Sequence, residues 1–315
     1  MRSDGWLGVE IRHLAALQAV AEEGSFGRAA EHLGYTQSAV SQQIQALERI
    51  VGAQLVERPG GPRRVSLTEA GELLLRHAAG IVARLQAAQA DMAAFAEGSA
   101  GTLRVGTYQS VGARVLPRLL RAFTTAWPDV AVQLTESADD GGLLGLVERG
   151  ELDFTFVMLP SGDGPFEIVE LMRDPYVAVL PAGSPLATRP RPPSLRELAS
   201  MPLIGNRQCR SIHQIENRFR DAGLEPRIVF RSDDNGTIQE LVAAGVGVAL
   251  VPLLTVDPGH DGTVVLGLPG VPPRRIGIAW HRDRYRSPAA RAFVELAQEV
   301  GSQVEADQSG SAAAA

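Results

Sequence analysis

Lysine is absent from this 315-residue chain; all 30 basic side chains are arginines. A Walker-type phosphate loop and a pyridoxal Schiff base both need a lysine amine, so both chemistries are excluded. Cysteine is nearly absent too: Cys209 is the single thiol. An internal disulfide is therefore impossible and a disulfide-built extracellular scaffold is ruled out. The expected role of Cys209 is that of a small buried hydrophobe, ahead of redox sensing. No uncharged apolar run reaches membrane-spanning length, and the opening MRSDGWLGVE lacks the apolar core of a signal peptide. The chain is expected to be soluble and cytoplasmic, with no membrane partner. Catalytic signatures are missing as well. Gly183-Ser184-Pro185 puts proline where a nucleophile elbow needs a helix start, and His260-Asp261 and His281-Arg282-Asp283 lack metal-ligand spacing. Gly245-Val246-Gly247 precedes a strand instead of following one. Neither an enzyme nor a bound cofactor or metal is expected.

What is present is ordinary in bulk and specific in detail. A chain with 45% hydrophobic and 21% charged residues folds into globular domains, two or three at this length. The most informative stretch is 25–48, SFGRAAEHLGYTQSAVSQQIQALE. Ser25 is a good N-cap, and Phe26, Ala29, Ala30 and Leu33 follow at helical spacing. Gly34-Tyr35 ends that helix, because glycine adopts the left-handed conformation at little cost. Thr36 can cap a second helix with Val40, Ile44 and Leu47 on one face. Two short helices around a tight glycine turn are a helix-turn-helix. The outer face of the second carries Gln37, Ser38, Ser41 and Gln42, uncharged hydrogen-bonding side chains suited to base edges in a major groove. Net charge is −6, and residues 1–70 hold seven arginines against eight carboxylates. A DNA reading therefore rests on where the arginines lie: Arg28, Arg49, Arg63 and Arg64 are the expected phosphate anchors. Residues 54–68 alternate weakly around Pro59-Gly60-Gly61-Pro62, as in a two-stranded wing bracketed by Arg58, Arg63 and Arg64.

Residues 69–97 contain no proline and read as one long helix. Leu74, Ala78, Ile81, Leu85, Ala88, Met92 and Phe95 are spaced alternately four and three apart, a heptad seam over three repeats. At roughly 1.5 Å per residue the helix is a rod on the order of 45 Å long. A seam this narrow predicts a homodimer, which would present two reading helices to a dyad-symmetric operator in double-stranded DNA. After Gly98-Ser99-Ala100-Gly101, a flexible joint, the pattern alternates strand and helix, so an α/β fold with largely parallel sheets is expected. A final helix is expected at 288–299 and a disordered tail at 304–315.

Ala29-Ala30, Leu33, TQSAVSQQI, Leu47-Glu48, Gly52, Leu55, Glu57-Arg58 and Leu67-Thr68-Glu69-Ala70-Gly71 together resemble the LysR-type transcriptional regulators. The second half resembles the effector domain of that family more loosely, through LRVGTYQS with Leu116-Pro117, DPYVAVLPAGSPLA and ELVAAGVGVALVP. The resemblance implies an all-α winged helix-turn-helix domain at 11–68 (helix-turn-helix 25–48) and a linker or dimerisation helix at 69–97. It then implies an α/β, periplasmic-binding-protein-like effector domain at 102–303. That domain would consist of two Rossmann-like subdomains, 102–174 with 277–303 and 175–276, separated by a hinged cleft. It further implies transcription regulation by a small-molecule effector, a tetramer built as a dimer of dimers, and RNA polymerase as a candidate partner. A solute-binding sensor that dimerises without binding DNA is the alternative.

Ligands of open α/β sheets sit at the carboxyl ends of strands, beside helix N-termini. Three loops qualify, at 107–110, 205–211 and 233–237. Thr107, Tyr108 as a wall, Ser110 as N-cap and donor, Asn206 and Gln208 as facing hydrogen-bond partners, and Thr237 at a third helix end are the expected ligand contacts. Tyr108 departs from the small polar residue common at this place in the family, which implies a reduced cleft or a stacking wall.

Overall fold

The computed structural model describes residues 5–57, 64–97, 101–189, 191–207 and 210–314. The chain forms two compact units, Met1–Ala90 and Asp91–Ala315.

In the first unit, α1 (Ile11–Glu23), α2 (Phe26–Leu33) and α3 (Gln37–Val51) pack around one core. Leu17 and Val20 from α1, Ala29 from α2, and Val40, Ile44 and Leu47 from α3 are fully buried in it. Burial of each large aliphatic side chain contributes roughly 1.5–3 kcal/mol. Gly34 ends α2 at φ +69° and returns its amide to Ala30, as the turn required. Thr36 caps α3 by accepting from the Ala39 amide at 3.3 Å. Ser25 stands at the N-cap of α2, but its side chain makes no capping hydrogen bond. Strands β1 (Val56–Glu57) and β2 (Ser66–Leu67) pair antiparallel as the base of a wing; its tip, with Arg58, Pro59 to Pro62 and Arg63, lies outside the described residues. Two contacts fix the wing to the helices. Glu48 Oε1 accepts from the amides of Leu55 and Val56 at 2.9 and 3.2 Å, and the Val65 amide donates to the Gly24 carbonyl at 3.0 Å. Helix α4 (Glu69–Glu97) begins where Thr68 caps the Gly71 amide at 3.0 Å. A Cβ on Gly71 would lie 2.0 Å from the Leu55 carbonyl oxygen, so this close approach requires glycine.

In the second unit, β3 (Gly101–Thr107), α5 (Gln109–Arg114), α6 (Leu116–Ala126), β4 (Val130–Glu136), α7 (Asp140–Arg149), β5 (Phe154–Leu159) and β6 (Phe166–Asp174) build most of one subdomain. The chain then crosses into β7 (Tyr176–Pro181), α8 (Leu195–Ala199), β8 (Pro202–Asn206), α9 (Arg210–Asp221), β9 (Arg227–Ser232), α10 (Asn235–Ala243), β10 (Val248–Pro252) and β11 (Thr263–Gly267). It returns through β12 (Arg274–His281) and α11 (Pro288–Ala314). The sheet orders are β4-β3-β5-β12-β6 and β11-β7-β10-β8-β9. Phe123, Phe154, Trp280 and Phe293 centre the first core, and Tyr176, Leu180, Phe219 and Leu250 one face of the second sheet.

Four expectations need correction. The sheets are mixed: β3 pairs parallel with β4 and β5, and β8 with β9 and β10, while β6, β7, β11 and β12 make only antiparallel pairings. The parallel strands are those joined through helices, as a parallel connection requires; the others enter their sheets without that crossover. Helix α5 starts at Gln109, two residues before the expected N-cap at Ser110 would allow. Strand β12 starts at Arg274, so the return crossing precedes the expected 276–277 boundary. The segment 304–315 was expected to be disordered, yet α11 continues to Ala314. Val300 and Val304 extend the stripe of Phe293 and Ala297 into the core, and the Glu305 carboxylate accepts from the Arg173 amide at 2.9 Å. Composition obscured that apolar spacing.

Candidate functional site

Helix α3 presents Gln37, Ser38, Gln42 and Arg49 to solvent, with Ser41 half-buried beside them. The opposite face holds the buried Val40, Ile44 and Leu47. The side chains available to a DNA groove are therefore set by helical periodicity, and the core fixes their direction. Ser38 Oγ lies 3.1 Å from Thr36 Oγ1, at the helix N-terminus. Arg28 donates to the Glu23 carbonyl and lies 3.7 Å from the Glu23 carboxylate, so part of its charge is locally balanced. The Arg64 side chain packs against Gly24 in the α1–α2 turn, 3.5 Å from where a Cβ would stand. Arg64 therefore emerges on the helix-turn-helix side of the wing. Arg63 lies outside the described residues.

The seam of α4 divides in two. Leu74 and Ala78 are buried in the winged-helix core; heptad spacing cannot separate a seam against the chain's own domain from one against a second helix. These two are therefore withdrawn from the dimer contacts. Ile81, Leu85 and Met92 are 47, 51 and 66% exposed, and Ala88 is exposed too. The Phe95 side chain lies outside the described part of the molecule. Large apolar side chains held in water along one helix stripe mark an interaction surface.

The second site is a cavity of about 280 Å³ at the carboxyl ends of β3, β8 and β9, between the two sheets. Tyr108, Ser110 and Asn206 line it as expected. Tyr108, not Ser110, is the N-cap of α5; Ser110 follows inside the first turn, buried. Gln208 and Cys209 lie outside the described residues. Thr107 and Thr237 do not line the cavity. Thr107 is buried, its hydroxyl 3.4 Å from the Tyr108 carbonyl, and the Thr237 amide donates to Asp234 Oδ1 at 2.6 Å as part of the α10 cap. Strand alternation turns the one inward, and helix capping occupies the other.

Two groups central to the cavity were not singled out. Gln109 spans the cleft: its amide donates to Asp234 Oδ2 at 2.8 Å, and its carbonyl accepts from the Asn235 amide at 2.9 Å. The hydrogen bond from Gln109, with those from Thr237, holds the Asp234 carboxyl below its ordinary value. Arg274 forms the floor. Its guanidinium donates to Asp174 Oδ2 at 2.7 Å and to Ser110 Oγ at 2.8 Å, and lies 5.5 Å from the centre of the Tyr108 ring. Asp174 and Arg274 are fully buried and stand at the two chain crossings between subdomains. Burial pushes the Asp174 carboxyl up, against the pull of Arg274 and the Leu254 amide. Gln109 was legible as a neighbour of Tyr108; no local pattern could have placed Arg274 beside a residue 164 positions earlier.

Known proteins match both units. Residues 11–72 match the bacterial regulatory helix-turn-helix protein model of the lysR family, and residues 96–302 the LysR substrate binding domain. The HTH-type transcriptional regulator IlvR of Caulobacter vibrioides is 32% identical over 93% of this chain and 99% of its own length. TtuA of Agrobacterium vitis, also an HTH-type transcriptional regulator, is 32% identical over 93% and 94%. Among solved structures, full-length CbnR complexed with its target DNA superposes with a TM-score of 0.63 at 26% identity, covering 92% of this chain and 99% of that one. The Corynebacterium glutamicum OxyR C206 mutant gives 0.61 at 26%, covering 96% and 95%. Within the described residues no helix is long and apolar enough to cross a membrane. The chain belongs to the LysR family of DNA-binding transcriptional regulators and is not an enzyme.

Proposed function

We propose that this regulator reads a dyad-symmetric operator through Gln37, Ser38, Ser41 and Gln42, with Arg28, Arg49, Arg63 and Arg64 on phosphates. The observation that carries the reading is the division of α3: an aliphatic face buried in its own core, and a polar face left in water that is uncharged from Gln37 to Gln45. Dimerisation through Ile81, Leu85, Ala88, Met92 and Phe95 pairs two such helices, and two dimers assemble as a tetramer in the cytoplasm. The winged-helix domain spans 11–68, the linker helix 69–97, and the effector domain 102–303, with α11 carrying it on to Ala314. A small effector enters the cleft and contacts Tyr108, Ser110, Asn206 and Gln208, with Gln109 and Arg274 added to that set. Glu136, Asp140, Asp233 and Asp234 outnumber Arg274 in the described lining, which disfavours a multiply charged anion. The effector must bind the open and closed cleft unequally to alter the grip on DNA.

A gel-shift titration with the DNA upstream of its own gene tests the first part. Saturable retention by the full chain is expected, and its loss when residues 1–67 are removed. Retention no stronger than on scrambled DNA of equal length would overturn the operator reading.

A further inference from the structure

We propose that the effector domain carries a second small-molecule site, distinct from the cleft, for an amphipathic organic anion. It is a cavity of about 820 Å³ between β7, β11, the Leu253–Thr255 turn and the far end of α11. It shares no lining residue with the cleft. Its volume falls in the range of ligand pockets, whose walls are mainly apolar with a few convergent polar groups. The walls meet that description. Val177, Leu254, Val256, Leu268 and Val304 line it, each more than nine-tenths buried in its own subdomain core.

The rim is basic on balance. Arg114, the last residue of α5, and Arg118, in the first turn of α6, stand on one side, and Arg189 and Arg191 on another. Arg118 is paired with Asp307 at 2.6 Å, and Arg114 lies 3.7 Å from Asp257. Arg189 and Arg191 share a single carboxylate, Glu197, at 2.8 and 3.1 Å. That pair of guanidiniums therefore retains a net positive charge, and Asp307 is the one carboxylate in the described lining against four arginines. Guanidinium forks match carboxylate oxygens in geometry as well as charge. An inorganic anion would leave the apolar walls uncovered, whereas a neutral hydrocarbon would leave the excess positive charge of the Arg189–Arg191 pair unmatched. A carboxylate on an apolar body satisfies both. The helix end beyond residue 303 builds part of this site through Val304 and Asp307.

The experiment is calorimetric titration of the full chain with octanoate, using octanol and octylammonium as uncharged and cationic controls. One octanoate per chain is expected, with octanol binding about tenfold more weakly and octylammonium giving no saturable heat. Arg191→Gln, at an exposed rim position, should weaken octanoate about tenfold. Gly267 lines the cavity, and a Cβ there meets no atom within 4 Å. Gly267→Phe should therefore abolish octanoate binding while leaving the thermal unfolding midpoint unchanged. Equal binding of all three probes, absence of saturable octanoate binding, or wild-type octanoate affinity in both variants would overturn the proposal.

Discussion

The reading helix and the cleft expose polar side chains in opposite ways. On α3 the groups available for recognition come from 13 consecutive residues, Gln37 to Arg49, and stand in water. In the cleft they come from Gln109, Ser110, Asp234 and Arg274 and are already bonded, Gln109 to Asp234 near the surface and Ser110 through Arg274 to the buried Asp174. A surface built from one helix tolerates the loss of one member without disturbing the rest. The buried Ser110–Arg274–Asp174 chain does not, because each lost partner leaves a desolvated group behind.

Substitutions can break or sharpen that contrast. The largest effect is expected from Asp174→Asn, which leaves the Arg274 guanidinium buried without its counter-charge. Chemical denaturation of the full chain should show the effector unit destabilised by about 3–5 kcal/mol. A loss below about 1 kcal/mol would mean that water reaches the pair. Next is Gly71→Ala, where the added methyl meets the Leu55 carbonyl; about 1–3 kcal/mol of stability should be lost from the winged-helix unit, seen as a lower thermal midpoint for that transition alone. A joint shift of both transitions would mean that the two units unfold as one.

On α3 the changes should be confined to binding. Gln42→Ala should relax preference at one base-pair position, by about 1–3 kcal/mol, with folding intact. Arg64→Ala should weaken binding to all sequences alike and reduce the slope of log K against log salt by about one. Binding-site selection and salt titration separate the two, and an unchanged base preference for Gln42→Ala would remove it from the reading set. The smallest effect belongs to Gln109→Ala. Its loss should let the Asp234 carboxyl titrate closer to the ordinary carboxylate value, as measured by carbon-detected NMR. The stabilisation linked to Asp234 is fully present above its unfolded-state pKa and lost as pH falls through its depressed folded value. At neutral pH the cross-cleft contact is therefore insensitive to small pH changes.

Legibility followed the range of the interactions. The helix-turn-helix could be read because each decision is local: Gly34 for the turn, Thr36 for the cap, and a 3.6-residue period for the buried face. The α4 seam was half legible. Its spacing is visible, but whether Leu74 and Ala78 meet their own core or a second helix depends on where β1, α1 and α3 lie. The last turns of α11 were obscured by alanine, serine and glycine, although Val300 and Val304 continued the stripe.

For this chain, order along the backbone was enough to specify the helix-turn-helix, a wing, a long seam and an alternating α/β half. Those features depend on contacts within a few residues and on periodicity. Folding alone decided that the sheets are mixed, that Arg274 reaches Ser110 and Asp174, and that Gln109 bridges the cleft. Such contacts join strands whose neighbours are chosen by packing and by the two chain crossings, over separations for which no local pattern carries information.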